Sequence, residues 1–369
     1  MKKKTLKVFI CFLVIWGLTI LTFAQPTGTQ KSNDVLVKKA LRSYFNGLAK
    51  REFFSGSVLI ARGGEILLKE GYGIANYNTG QPNRPSTVFA VASFTKAFTS
   101  MSVMILEERG LLSVNDTVAD YIPDFPNGDQ ITIDHLLSQT SGFYEFLLNP
   151  SLWENTNNFH LPEQLLQYFV NEPLNFEPGT QFEYSNSNYV TLGIIIERIS
   201  GMSYRDFIKT NILEPLRMNH TSYDPYEVDF PRKAGGYDDL EPPTPAIYFH
   251  PSIAYSAGAI RSTVKDLYKW DQALYTEQLV SAATRERMFT PGLGNYGYGW
   301  YIDYLEVDGQ MHKQFWHWGS YFGFHSHISR LVDDEVIIII LRNTPPTTGT
   351  PEEMTPIVKE AASIIFEDD

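Results

Sequence analysis

Strand-like patterning stands at the two ends of this chain and helical patterning fills the middle, an order that restricts the possible folds more than any single motif does. Gly56 to Arg62, a Gly63-Gly64 pair and Glu65 to Tyr72 read as a hairpin with a two-residue turn. Far downstream, Tyr296–Leu305, Met311–Trp318, Phe324–Leu331 and Val336–Arg342 are short and rich in aromatic or β-branched residues. They are separated by Asp308-Gly309, Gly319–Gly323 and Asp333-Asp334. Between these ends, Ser93–Glu108 stops at Gly110 and Asn188–Ser200 stops at Gly201, as helices do. Shorter helical stretches fall near Leu161–Val170 and Tyr204–Ile212. Helices are also expected at Asp34–Leu48, at Ser262–Leu274 with Ser262 as the cap, and at Glu353–Phe366. Asp224 to Pro251 carries six prolines and two adjacent glycines, which predicts a long connection.

The simplest architecture joins both ends into one sheet. The expected fold class is α/β in the α+β sense: a mostly antiparallel sheet flanked by helices, with an inserted all-helical lobe. The sheet lobe would take residues 34–90 and 255–366, and the helical lobe residues 91–254. A cleft between lobes is a common ligand site.

Residues 1–24 read as a secretory signal. Lys2, Lys3, Lys4 and Lys7 precede a largely apolar run from Val8 to Phe23, and Ala24 closes a small-residue cleavage site before Gln25. The run falls short of the roughly 20 residues that span a bilayer. The protein is therefore expected to be periplasmic or secreted, touching a membrane only through this segment if it stays attached. Residues 25–33 read as a polar leader. Cleavage removes Cys11, the only cysteine, which excludes disulfide scaffolds, cysteine nucleophiles and Cys-based zinc sites from the mature chain. The net charge of −12, with no long basic run, argues against nucleic acid as a partner.

Several motifs are absent: the phosphate-binding G-x-x-x-x-G-K-[ST], H-E-x-x-H, G-x-S-x-G, and a dinucleotide G-x-G-x-x-G. The eight histidines are scattered, with no carboxylate at ligand spacing, so no metal and no cofactor is expected. What remains is Ser93-Phe94-Thr95-Lys96. A spacing of three puts hydroxyl and amine on one helix face, at an N-terminal turn that favours developing negative charge. A lysine desolvated among Phe94, Phe98 and Met101 would lose its proton more readily and accept one from Ser93. The same pattern at Ser262–Lys265 lies on a polar face and reads as a helix start.

Two further elements follow in order. Tyr184-Ser185-Asn186 sits before the Asn188 helix, where an extended segment would point phenol and amide the same way. His317-Trp318-Gly319-Ser320 leads from a strand toward a glycine-rich turn, where an edge strand can hold a substrate backbone and Gly319 can admit a close ligand. Decoys such as Tyr44-Phe45-Asn46 and Lys69-Glu70-Gly71 precede Ser93.

In this order the three elements resemble the serine β-lactamase and penicillin-binding-protein family, particularly its class C β-lactamase and related esterase branch. The resemblance runs from about Asp34 to Ile365. It includes Gly110–Asp116, Ile131–Gly142, Phe176–Gly179, Glu214–Met218 and Ser256–Ile260 with Asp266-Leu267. It implies an acyl-enzyme at Ser93, Lys96 as base partner, Tyr184 as second acid/base group and Asn186 as substrate contact. The amides of Ser93 and Ser320 would form the oxyanion hole, with Gly319 beside them. His317 stands where many β-lactamases carry lysine, so a substrate carboxylate is held less strongly. Gln139 replaces a histidine usual in that stretch. The partner implied is a small-molecule or peptide substrate: a β-lactam, a D-amino-acid peptide or a carboxylic ester. The alternative is a non-catalytic sensor or binding protein on the same scaffold.

Overall fold

The computed structural model describes residues 28–51, 54–223, 232–344 and 354–367, so the signal at 1–24 lies outside the described residues. A six-stranded antiparallel sheet carries the molecule. Its strands are β1 (Gly56–Arg62), β2 (Glu65–Tyr72), β3 (Tyr301–Val307), β4 (Gln310–Tyr321), β5 (Phe324–Leu331) and β6 (Val336–Arg342), in the spatial order β2-β1-β6-β5-β4-β3. The two ends of the chain therefore meet at β1 and β6, with Gly56 opposite Arg342 and Arg62 opposite Val336. That junction explains the sequence of β6, an apolar run from Val336 to Leu341 closed by Arg342 and buried along its whole length. Successive side chains point to opposite faces. Val336, Ile338 and Ile340 enter one core while Ile337, Ile339 and Leu341 enter the other.

On the first face lie α1 (Gly28–Lys50) and α6 (Thr355–Phe366), which bury Leu41, Phe45, Val358 and Ala361. Arg62 reaches both helices at once. Its Nη2 pairs with Asp34 Oδ1 at 3.2 Å and its Nη1 donates to the Ile365 carbonyl at 3.1 Å. The opposite face carries the helical middle: α2 (Thr95–Glu108), α3 (Asn186–Ser200), α4 (Pro251–Gly258) and α5 (Val264–Ala273). Every residue of α2 from Thr95 to Leu106 is buried, which is the pattern of a helix enclosed on all sides. The Arg330 guanidinium on β5 bonds Asp271 of α5 at 2.6 Å, both buried.

Several expectations change. Helix α1 begins at Gly28, inside the expected leader; no proline interrupts Gly28–Asn33, and extending a formed helix costs little. Ser262 is not the cap of α5, because it pairs with Phe89 in a short antiparallel ladder. Thr263 caps instead, accepting from the Asp266 N–H at 3.1 Å. The proline-rich connection holds two short paired strands, Tyr237–Leu240 and Pro243–Pro245, exposed pieces with room for prolines at a sheet edge. The strand before Asp308 starts at Tyr301 rather than Tyr296. The turn after β4 narrows to Phe322-Gly323, so His317–Ser320 lies within the strand. The helix near Leu161 is regular only over Pro162–Leu166.

Candidate active site

The segment before α2 turns sharply: Ala92 takes φ +49° and a short 3-10 turn, Ala92–Phe94, leads into the helix. Ser93 is the one residue from Val91 to Ser100 that keeps partial solvent access. The turn is held from three sides. Val91 N–H donates to the Ile260 carbonyl at 2.9 Å, the Val91 carbonyl accepts from Ser326 Oγ at 2.7 Å, and Gly319 packs against it. A Cβ on Gly319 would lie 2.5 Å from the Val91 oxygen and 2.7 Å from the Ala92 Cβ. Gly319 thus makes room for the serine's own turn, where the sequence suggested room for a ligand.

One turn on, Lys96 is fully buried. Its Nζ lies 3.3 Å from Ser93 Oγ, 2.7 Å from Asn186 Oδ1 and 2.8 Å from the Ala257 carbonyl. The Ala257 carbonyl is available because α4 ends at Gly258 and the Arg261 N–H, which would close the next turn, donates to the Ser222 carbonyl instead. Burial lowers the Lys96 pKa to about 7, against the opposing pull of the Glu145 carboxylate. In the neutral amine, two N–H bonds satisfy Asn186 and Ala257, leaving the lone pair for Ser93.

Asn186 is the first residue of α3, capped by the Ser185 side chain, rather than part of an extended segment. Its amide is oriented by charge. Glu145 Oε2 accepts from the Asn186 backbone N–H at 2.5 Å and from Nδ2 at 3.2 Å, so Oδ1 faces Lys96. Glu145 also accepts from the Leu147 N–H at 3.0 Å. Burial pushes its carboxyl up while these donors pull it back. All three partners are donors, which suits the ionised form. No motif marks Glu145, whose partner lies 41 residues away.

Buried at φ +62°, Gln139 accepts through Oε1 from Ser185 N–H at 3.0 Å and from Asn188 Nδ2 at 2.6 Å. Its backbone carbonyl takes the Glu183 N–H at 3.0 Å. An amide oxygen accepts two such bonds, whereas a neutral imidazole offers one acceptor nitrogen.

The Tyr184 ring sits 4.8 Å from Lys96 Nζ, and its shielded hydroxyl makes no well-formed hydrogen bond. Burial and the neighbouring Tyr301 hold the phenol well above its usual pKa, though Ser93 is near enough to pull the other way. His317 lies 6.3 Å from Tyr184, ring to ring, and is wholly buried. Its Nδ1 is 2.6 Å from the Trp318 carbonyl, so this nitrogen carries the hydrogen, and Nε2 at 3.2 Å accepts from the Tyr296 hydroxyl. Burial and nearby Lys96 lower its pKa to about 3, so it is neutral. Tyr296 is a site residue that the motifs did not reveal.

Strand β4 pairs with β3 only as far as Trp316, so His317–Tyr321 has a neighbour on the β5 side alone. It is an edge locally, within an interior strand. Ser93, Asn186 and Ser320 line one cleft of 360 Å³.

Comparison with known proteins shows the family and the fold. The Beta-lactamase family model matches residues 41–363. Penicillin-binding protein 4* of Bacillus subtilis (strain 168) is 32% identical over 354 residues, covering 89% of this chain and 76% of the relative. The crystal structure of a penicillin binding protein from Bacillus halodurans superposes with a TM-score of 0.76 at 26% identity, covering 86% of this chain and 98% of that one. D-amino acid amidase from Ochrobactrum anthropi SV3 shares the fold, with a TM-score of 0.75 at 23% identity over 90% of this chain and 98% of its own. With sequence likeness, fold likeness and a serine backed by a buried lysine all in agreement, this chain belongs to the β-lactamase family of serine hydrolases.

Proposed function

We propose that the protein is an exported hydrolase that cleaves an amide or ester through an acyl-enzyme on Ser93. The observation that carries this reading is the 3.3 Å approach of Lys96 Nζ to Ser93 Oγ, with the other lysine contacts already satisfied. Ser93 Oγ attacks the substrate carbonyl carbon as its proton passes to neutral Lys96. The peptide N–H groups of Ser93 and Ser320 stabilise the oxyanion that forms, and Asn186 contacts the substrate from the cleft wall. Tyr184 keeps its proton at neutral pH, which fits it to give that proton to the leaving group while the proton taken up by Lys96 replaces it, rather than to begin the reaction as a base. Collapse expels the protonated leaving group, and water then attacks the ester, giving a proton to neutral Lys96 that passes on to Ser93 Oγ as the acid is freed.

Labelling with a fluorophosphonate or penicillin probe, read by mass spectrometry, tests this directly. The expected result is one adduct on Ser93, lost in Ser93→Ala; no adduct with either probe leaves the non-catalytic binding reading standing. Export rests on the basic and apolar segment Met1–Ala24. An exported product starting at Gln25 is the expected finding of N-terminal sequencing.

A further inference from the structure

The wall of the cleft facing Ser93 is assembled from three separated stretches of chain. Leu147 and Trp153 come from the segment after Gly142, Phe249 from the end of the proline-rich connection, and Tyr321 and Phe322 from the end of β4. Phe249 and Phe322 stack at 4.7 Å and 23°, and the Trp153 ring lies 5.8 Å from the first and 6.3 Å from the second. Trp153 is 48% exposed, yet its Nε1–H is fixed to the Leu147 carbonyl at 2.8 Å. An indole held this way offers a flat apolar face at little entropic cost. The turn bearing Phe322 is fixed too: a Cβ on Gly236 would strike the Phe322 oxygen at 2.5 Å, so the connection packs hard against it.

The charges around the cleft are equally one-sided. No lysine or arginine is among the described residues lining it; Asp238 supplies a carboxyl group and His325 an imidazole. Lys96 is occupied by Ser93, Asn186 and Ala257, and Glu145 stands behind Asn186. His317 is buried, with both ring nitrogens engaged. Among the described residues lining the cleft, a carboxylate brought in on a substrate meets no lysine or arginine.

Tyr184, which serves the leaving group, is not among the residues lining this cleft, whereas Ser93, Asn186 and Ser320 are; resting on the acyl-enzyme reading above, we propose that the cleft is a subsite for a phenyl-sized apolar group on the acyl side of the substrate. The preferred donors are esters or amides whose leaving group carries no carboxylate. A dry apolar cavity of about 150 Å³ is enough to take a benzene ring; at 360 Å³ the cleft holds such a ring together with the atoms joining it to the reacting carbonyl.

The test compares three esters on the full chain by pH-stat: ethyl propionate, ethyl 3-phenylpropionate, and the 3-phenylpropionyl ester of glycolic acid, whose leaving group is anionic. The expected kcat/KM for ethyl 3-phenylpropionate is at least about tenfold above either of the others. Trp153→Ala and Phe322→Ala are each expected to shrink the preference for the phenyl acyl group several-fold. Equal rates for the two ethyl esters, or a faster glycolate ester, overturn the proposal. Fluorophosphonate labelling of Ser93 keeps the two readings apart, since an adduct without the phenyl preference removes the subsite alone. With no adduct, the acyl-enzyme reading falls and calorimetry with 3-phenylpropionamide decides the subsite. Binding weakened about tenfold by Trp153→Ala supports it, and no binding overturns it.

Discussion

Lys96 must be uncharged to accept a proton, and its surroundings put that condition within reach of neutral pH. Because its pKa is lowered to about 7, the neutral fraction grows as pH rises through that value. kcat/KM is therefore expected to climb with pH to a plateau above about pH 7, which a pH–rate profile checks. The Glu145 carboxylate favours the ammonium form, so Glu145→Gln should move this acid limb to lower pH. The same change should lower kcat, because a glutamine cannot accept from both Asn186 and Leu147 without turning a donor toward a donor. A residue that only supported the fold would reduce kcat without moving the limb. Ser93, Lys96, Tyr184 and His317 are close together in space, as the order of their motifs suggested. Glu145 and Tyr296 left no trace in the sequence, since their partners are brought in by the fold from distant segments.

At the scale of elements, what could be read in advance was whatever a local period encodes. The β1–β2 hairpin carries its turn as two glycines, and β6 declares a strand buried on both faces by its unbroken apolar run. The Tyr237–Pro245 pair carries prolines and exposed acids, so no pattern announced it; tertiary packing against the Phe322-Gly323 turn places it. Gly319 was legible as a special position, but the reason for it was not, because the atoms it must avoid belong to Val91 and Ala92. Gly319→Ala should push β4 away from the serine turn. The expected outcome is a fall in kcat of about 10²-fold, the scale of a 1 Å misplacement, with a loss of about 1–3 kcal/mol in stability. Steady-state kinetics and urea unfolding on the same sample separate the two effects.

For the molecule as a whole, the sheet joins two cores, and buried polar links tie the helices on its Ser93 face to it. The Arg330–Asp271 pair is the deepest of these among the described residues, with each side chain 2% exposed. Asp271→Ala would strand a guanidinium against Tyr275, Phe289 and Trp300, and is expected to cost about 3–5 kcal/mol in denaturant unfolding. Replacing both partners with apolar residues of similar size should cost much less. On the side of the sheet away from Ser93, Arg62 grips the first helix through Asp34 and the last through Ile365. Where one side chain spans both, a short peptide could join them. A circularly permuted chain, opened at an exposed loop and sealed across this point, should retain its turnover, and attachment to a solid support at that same spot would leave the reactive cleft facing outward.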